Sequence, residues 1–330
     1  MRSIRLPPLS CCQYKPSPTH KLHIYIIFFV IALTGLCACA GQFETKPALT
    51  SACQIDWQGQ TGITADDLPA STPSKGLHVL VWNIHDRLLS DSIFSNGGHT
   101  EEEVACIGDL ALQFDVVLAQ EAFVRPAQLA RYTGHDWVNH PLFSEGGGGD
   151  WWPLRAICDI CLSPGLLMLA REQPEFVYAE PYEAFAGWNS ALNKADDFFS
   201  KGFQLVQFQT FWVLNSHMDA GRGQDSIEAR AQQFRQITAA FKRFVPYDAP
   251  LFIGMDSNLR PDREEQDSEI LREFLEANGL TLVRQSGPDL IAVRNIQIDN
   301  PQLLPLKNVL SDHNALSVII YPPSVAESED

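Results

Sequence analysis

Four short polar clusters, each at the edge of an apolar run, hold the groups in this chain that could do chemistry: Gln120-Glu121, Ser216-His217-Met218-Asp219, Asp256-Ser257-Asn258 and Ser311-Asp312-His313-Asn314. A lone histidine at a strand end is more often structural than chemical, but four such clusters at strand edges are hard to explain as packing. A carboxylate such as Glu121 leaving an apolar strand is an expensive place for charge without a partner, and a cation would satisfy it. Hard divalent ions prefer carboxylate and amide oxygens, with water completing the shell. Asp312 beside His313, and Asp256 two residues before Asn258, offer further oxygens and a titratable imidazole. Together these groups suit attack of water on a phosphodiester. A metal would stabilise charge on the phosphoryl oxygens while a histidine or carboxylate takes the proton from water.

Other chemistries fit less well. The chain has no Gly-x-Ser-x-Gly elbow, no Gly-x-x-x-x-Gly-Lys loop and no His-Glu-x-x-His pair, so acyl transfer would need an unrecognised serine. Mostly oxygen donors also argue against zinc as the main metal.

The elements that must position these residues follow from the hydrophobic pattern. His78 to Ile84 reads as a strand delivering Asn83 and His85 at its end. Thr100 with Glu103 makes a capping box for a helix running to about Phe114. Asp115 to Ala119 is a short continuous apolar strand that ends in Gln120-Glu121. A helix is expected around Pro126 to Tyr132, a strand from Gly165 to Arg171, and a hairpin pair from Phe203 to Phe208 and Thr210 to Asn215. Apolar residues at Ala231, Phe234, Ile237, Phe241 and Phe244 have helical spacing. Leu251 to Met255 is a buried strand, Glu264 to Asn278 a helix closed by Gly279, and Leu280 to Val283 a strand. Leu290 to Val293 and Ala315 to Tyr321 read as strands flanking a loop. The pattern predicts two sheets with helices outside, an α/β or α+β layered domain.

At 330 residues, with 45% hydrophobic and 19% charged residues, the chain is globular and long enough for a large core. Arg2, Arg5, Lys15 and Lys21 precede an apolar stretch from Ile24 to Leu36, too short for a comfortable membrane span, so the N-terminus reads as an export signal. Leu36-Cys37-Ala38-Cys39 resembles a bacterial lipoprotein signal, with Cys39 as the acylated residue; an uncleaved anchor is the alternative. Either way the domain is expected outside the cytoplasm, in the cell envelope, attached to a membrane. Residues 1–38 are the expected signal and 39–75, rich in Ala, Thr, Ser and Pro, a tether. The domain spans 76–322, and 323–330 form a tail.

The net charge of −16 becomes −20 without residues 1–38, which carry four basic residues and no acidic ones. Such an acidic protein is poorly suited to non-specific nucleic-acid binding, although bound cations could support a metal-dependent nuclease. Cys53, Cys106, Cys158 and Cys161 remain beyond Cys39, an even number suited to an oxidising compartment. Cys158 and Cys161 are expected to form, or exchange into, a disulfide, with a redox or zinc pair as the alternative. Glu145 and the glycines after it, followed by Trp151-Trp152, read as a surface loop whose rings either meet a membrane interface or fold back as packing.

Taken in order, Trp82-Asn83-Ile84-His85, Asp115 through Glu121, Ser216 through Gly221, Gly254-Met255-Asp256-Ser257-Asn258, Asp289-Leu290-Ile291 and Ser311-Asp312-His313 resemble the endonuclease/exonuclease/phosphatase superfamily. The resemblance implies a four-layer sandwich of two packed mixed β-sheets flanked by helices. It implies that Asn83 and Glu121 hold Mg²⁺, or alternatively Mn²⁺, with Asp312 completing or supporting the site. His217 would contact the scissile phosphate, Asp256 and Asn258 would orient or activate nucleophile and leaving group, and His313 would act on phosphate or water. Asp289 would fix the tautomer of His313. Gly254 stands two residues before Asp256, where the family usually has glycine directly before the aspartate.

Within the superfamily, Ser163-Pro164-Gly165-Leu166 through Arg171, and Ser200-Lys201-Gly202-Phe203, are similar to stretches of neutral sphingomyelinases. That favours a phosphodiester substrate with a lipid head group. An exported endonuclease and a non-catalytic binding protein on the same fold are the alternatives, and the oligomeric state is left open. His85, His135 and His140 are expected to tolerate substitution better than His217 and His313.

Overall fold

A computed structural model describes residues 76–86, 99–123, 125–143, 163–186, 201–262, 264–307 and 310–323. The export signal, Cys39, the tether, Trp151-Trp152, Cys158, Cys161 and Ser200 lie outside the described residues. Cys106, inside them, is buried and disulfide-bonded. No helix among the described residues is long and apolar enough to cross a membrane.

The first sheet contains β1 (Leu77–Asp86), β2 (Val116–Ala122), β3 (Trp137–Asn139), β4 (Leu167–Ala170), β11 (Gln297–Leu304) and β12 (Ala315–Tyr321), in the order β11-β12-β1-β2-β4-β3. The second contains β5 (Phe176–Pro181), β6 (Gly202–Gln207), β7 (Trp212–His217), β8 (Leu251–Asp256), β9 (Thr281–Ser286) and β10 (Asp289–Arg294), in the order β5-β6-β7-β8-β10-β9. Both sheets are mixed, because β1 runs parallel to β2 and β7 parallel to β8 while the remaining pairs are antiparallel.

Strand alternation builds the layers. Leu80, Trp82, Val117 and Ala119 face outward onto α1 (Glu101–Ala111) and α2 (Pro126–Thr133), meeting Val104, Ile107, Leu110 and Leu129. Leu214, Leu251, Ile253 and Met255 face α3 (Gln224–Phe244) and α4 (Glu265–Ala277), meeting Phe234, Ile237, Phe241 and Phe274. The intervening positions, Val79, Val81, Val116 and Leu118 of one sheet and Val213, Phe252 and Ile291 of the other, pack between the sheets. The fold is the four-layer sandwich expected. The capping box is also present, with Glu103 N–H donating to the Thr100 hydroxyl and Thr100 N–H to the Glu103 carboxylate.

The structure corrects the element boundaries in two ways. The connection between β10 and β12, read as a loop, contains the edge strand β11. Its Asp299-Asn300-Pro301 is poor strand sequence, and pairing with β12 around a register shift supplies what propensity lacks. β3, of three residues, and β5, both at sheet edges, were not expected either. Several strands also run further than their apolar segments: β2 includes Gln120 and Glu121, β7 includes Ser216 and His217, and β8 includes Asp256. Gln120-Glu121, Ser216-His217 and Asp256 therefore lie within strand ends, while Asn258 follows a strand and Ser311-Asp312-His313 precedes one.

Gly254 shows how closely the sheets approach. A Cβ at this position would lie 2.4 Å from Val81 Cγ2 and 2.8 Å from Leu118 Cδ1, so side-chain volume is excluded where β8 crosses β1 and β2. Met255, the residue that separates Gly254 from Asp256, faces the helical layer instead. Gly254→Ala is expected to cost about 1–3 kcal/mol by overpacking, measured by urea unfolding. Unchanged stability would mean that the sheets separate at no cost.

Candidate active site

Strand direction collects the chemistry at one rim. Because β1 and β2 are parallel, Asn83 stands opposite Gln120; because β7 and β8 are parallel, His217 stands opposite Asp256. β10 runs antiparallel to β8, which places its first residue, Asp289, across from Asp256. β12 runs antiparallel to β1, so the segment before it, with Ser311, Asp312 and His313, returns to the same end. The Ser311 hydroxyl ties it there by donating to the Asn83 carbonyl at 2.6 Å.

The inward register that is apolar in mid-strand becomes polar at this end: Val79-Val81-Asn83, Val116-Leu118-Gln120, Val213-Asn215-His217 and Phe252-Gly254-Asp256. Across the two sheets, the Asn83 amide donates to Asp256 Oδ2 at 2.9 Å. Beneath it the Gln120 amide donates to Asn215 Oδ1 at 2.8 Å, the Asn215 amide to Gln204 Oε1 at 3.0 Å, and the Gln204 amide to Asn139 Oδ1 at 2.7 Å. This ladder of hydrogen-bonded side-chain amides forms a polar floor beneath the charged groups, in which the buried Gln120 Oε1 alone of the linked amide oxygens lacks a partner among the described residues.

Glu121 departs from the alternation. Val117 and Ala119 face the helices, and regular pleating would send Glu121 there too. Its φ of 56° is left-handed, and its Oε1 lies 3.7 Å from His217 Nε2. His85 and Asn258 are also left-handed, at 55° and 54°, a region that histidine and asparagine enter more readily than glutamate does, so the strain is greatest at Glu121. Such strain persists only where surrounding contacts over-determine it.

His217 Nε2 lies 3.6 Å from Asp256 Oδ2, and the buried Lys201 Nζ lies against the same ring, 2.7 Å from Nε2 and 3.2 Å from Nδ1. Asp256 Oδ1 accepts the Asn258 backbone N–H at 2.9 Å, while the Asn258 side-chain amide donates to the Met218 carbonyl. Burial pushes the Asp256 pKa up, but His217, His313, the Asn83 amide and Lys201 together hold it below the usual carboxylate range. His313 Nδ1 is 2.7 Å from Asp289 Oδ2, and its Nε2 is 4.0 Å from Asp256 Oδ2. Burial alone would lower the His313 pKa; the Asp289 hydrogen bond and the charges of Asp256, Asp289 and Asp312 raise it to about 10. Asp289, almost fully buried, is itself pushed up by desolvation.

All eight residues singled out from sequence, Asn83, Glu121, His217, Asp256, Asn258, Asp289, Asp312 and His313, lie at this rim. Two more belong with them. His85, set apart in the sequence reading, has its Nδ1 2.9 Å from Asp312 Oδ1 and 3.4 Å from Glu121 Oε2. The register shift after Asn83 and the left-handed His85 backbone account for its place. Lys201 was noticed only as part of a short motif; the pairing of Gly202 with His217 brings it to the imidazole. His135, by contrast, bonds to the Phe114 carbonyl.

The donor set suits a hard cation. Ligand atoms of Glu121, His217 and Asp256 lie within 4.8 Å of one another, as do those of Asp256, Asp289 and His313. Two deeply buried carboxylates in the first group, with Asp312 joined to Glu121 through the His85 ring, make this a candidate site for a cation.

The chain has the endonuclease/exonuclease/phosphatase fold, which it shares with a protein of that designation from Bacteroides vulgatus at a TM-score of 0.53 and 13% identity, over 75% of this chain and 99% of the other. Sphingomyelinase C from Streptomyces griseocarneus matches at 0.53 and 18% identity, covering 75% of this chain and 99% of its own. A beta toxin variant from Staphylococcus aureus with bound magnesium ions matches at 0.53 and 14%, covering 74% and 99%. No protein-family model and no curated protein sequence matches the chain.

Replacing Asp289 by Asn removes the carboxylate that raises the His313 pKa. NMR titration of metal-free protein is expected to show the His313 midpoint moving down toward the ordinary range near 6.5. In the native chain, the stabilisation from protonated His313 is complete below that range and lost as pH rises through the raised value of about 10. An unmoved midpoint would remove Asp289 as the cause.

Proposed function

We propose that this chain is a Mg²⁺-dependent phosphodiester hydrolase, tethered to a membrane through a lipidated Cys39 and acting on choline lipids as a sphingomyelinase or phospholipase C does. The observation that carries this reading is the convergence of Glu121, His217, Asp256, Asp289 and His313 on one rim, with acid and base held in different protonation states. The shared fold of sphingomyelinase C, and of beta toxin with bound magnesium ions, supports the substrate class and the metal.

Glu121, with Asn83 and Asp312 beside it, would hold the Mg²⁺. When bound, the ion neutralises charge developing on the phosphoryl oxygens. Asp256, kept ionised by its cationic neighbours, takes a proton from the attacking water as the new P–O bond forms. His313, protonated and oriented by Asp289, delivers a proton to the leaving oxygen as its bond to phosphorus breaks. Lys201 and His217 present positive charge to the phosphate. Asn258 holds Asp256 through its backbone and the loop after β7 through its side chain.

The acidic balance of −20 beyond residue 38 supports a zwitterionic substrate, which carries no net charge to be repelled, over an anionic polymer. The disulfide at Cys106 fits an oxidising compartment and hence export. A tether would raise the effective concentration of lipid substrate without tight head-group contact.

A single panel tests the proposal: sphingomyelin and phosphatidylcholine vesicles, plasmid DNA and a phosphate monoester, each with Mg²⁺ and with chelator. Turnover of a choline lipid that chelator abolishes is expected, with Glu121→Gln inactive and His217→Ala and His313→Ala each slower by about a hundredfold or more. Rapid cleavage of DNA with the vesicles untouched would replace the lipid reading with the nuclease one, and full activity in chelator would end the metal reading. The paired change Trp151→Ala with Trp152→Ala is expected to lower activity on vesicles far more than on a soluble phosphodiester. Equal losses on both would assign the two rings to packing.

A further inference from the structure

The left-handed Glu121 needs something to hold it, and the peptide that follows it is gripped from both sides. Ala122 N–H donates to the Gly165 carbonyl at 2.9 Å, and the His140 imidazole hydrogen-bonds the backbone of Ala122. The second nitrogen of that ring, Nε2, lies 2.8 Å from the Ser163 hydroxyl, which itself accepts Gly165 N–H at 3.0 Å. The donors and acceptors close a ring. The Ala122 N–H is already committed to Gly165, so the imidazole can only donate to the Ala122 carbonyl; with the proton of the neutral ring on Nδ1 for that bond, Nε2 accepts the Ser163 hydroxyl, whose oxygen accepts Gly165 N–H. Burial lowers the His140 pKa and favours this neutral form.

The surroundings leave the ring little freedom. Ser163, Gly165 and Ala122 are buried. Gly165 has a φ of 66°, and a Cβ there would lie 2.5 Å from the Phe123 ring. His140 directly follows β3, the strand furthest from β2 on this side of the sheet, so its side chain reaches past the end of β4 to Ala122.

We infer that His140 and Ser163 are positioning residues whose hydrogen-bond ring through Ala122 and Gly165 locks the strained backbone of Glu121, and so sets that carboxylate for cation binding. The inference rests on Glu121 as a metal-holding residue. Supports of this kind are commonly as consequential as the ligands themselves, with losses of about 10–100-fold in metal affinity on removal.

The test is Mn²⁺ binding by the native chain and its variants, followed by electron paramagnetic resonance without substrate. His140→Ala is expected to weaken binding by about tenfold or more, and Ser163→Ala to weaken it in the same direction. His140→Asn, whose amide nitrogen takes the place of Nδ1, is expected to recover affinity to within about threefold of native. Turnover by His140→Ala should rise toward the native value as Mg²⁺ is increased, a recovery that loss of folded protein would not show. Should His140→Ala fail to fold, Ser163→Ala and His140→Asn decide the matter by the same measurement. Native affinity in Ser163→Ala and His140→Ala, with binding weakened in Glu121→Gln, overturns the positioning role alone. Undiminished binding in Glu121→Gln overturns the metal-holding role of Glu121 and the positioning inference with it.

Discussion

A buried carboxylate at Asp256 organises this structure. Removed from water, an isolated charge there would cost several kcal/mol, and the fold surrounds it with donors and cations. Asn83 reaches it from the opposite sheet, Asn258 from its own loop, His217 from the neighbouring strand and His313 from the segment before β12. Each of those residues belongs to a different part of the fold, so the ionised state of one side chain depends on the docking of β1, β7, β8 and the segment before β12. The convergence also explains the mixed sheets. Parallel β1-β2 and β7-β8 pairs bring two strand ends to the rim from each sheet, while antiparallel β10 and β12 begin there, β10 with Asp289 and β12 just after His313.

The rim is polar over a polar floor, and the transition is gradual. Apolar contacts between the sheets give way first to the amide ladder of Gln120, Asn215, Gln204 and Asn139, then to the charged groups. Amide side chains carry no net charge, so they line the sheet interior at lower cost than ions and leave the field at the rim to Glu121, Asp256 and their cationic neighbours. Lys201 completes that balance from the start of β6. Its buried ammonium beside His217 keeps two carboxylates and an imidazole close together, an arrangement that would otherwise be dominated by repulsion between the acids.

Electrostatics of this kind also separates roles among chemically similar groups. Asp256 and Asp289 are both buried aspartates, opposite each other across β8 and β10. Asp256 faces several cationic and donor groups and is pulled toward ionisation; Asp289 shares one imidazole and feels the repulsion of Asp256 and Asp312. Environment therefore sets two buried aspartates of the same chemistry apart, one held ionised and the other pushed up by burial and hydrogen-bonded to an imidazole.

The amino-acid sequence by itself determined the layers and most of the site. Apolar runs such as His78 to Ile84 and Leu251 to Met255, and the helical spacing of apolar residues from Ala231 to Phe244, record the burial of each element, because local pattern and burial are the same constraint. The polar clusters stood out because charge at the end of an apolar strand is costly wherever it occurs. Tertiary structure decided what depends on partners distant in the chain. β11 exists through pairing with β12 despite weak propensity, and Lys201 reaches His217 only through the β6–β7 register. Glu121 joins the site by leaving the pleat, and His85 enters it where β1 breaks register. No local pattern records a backbone torsion held by contacts from His140, Ser163 and Gly165, since those residues become neighbours only after the sheet has formed.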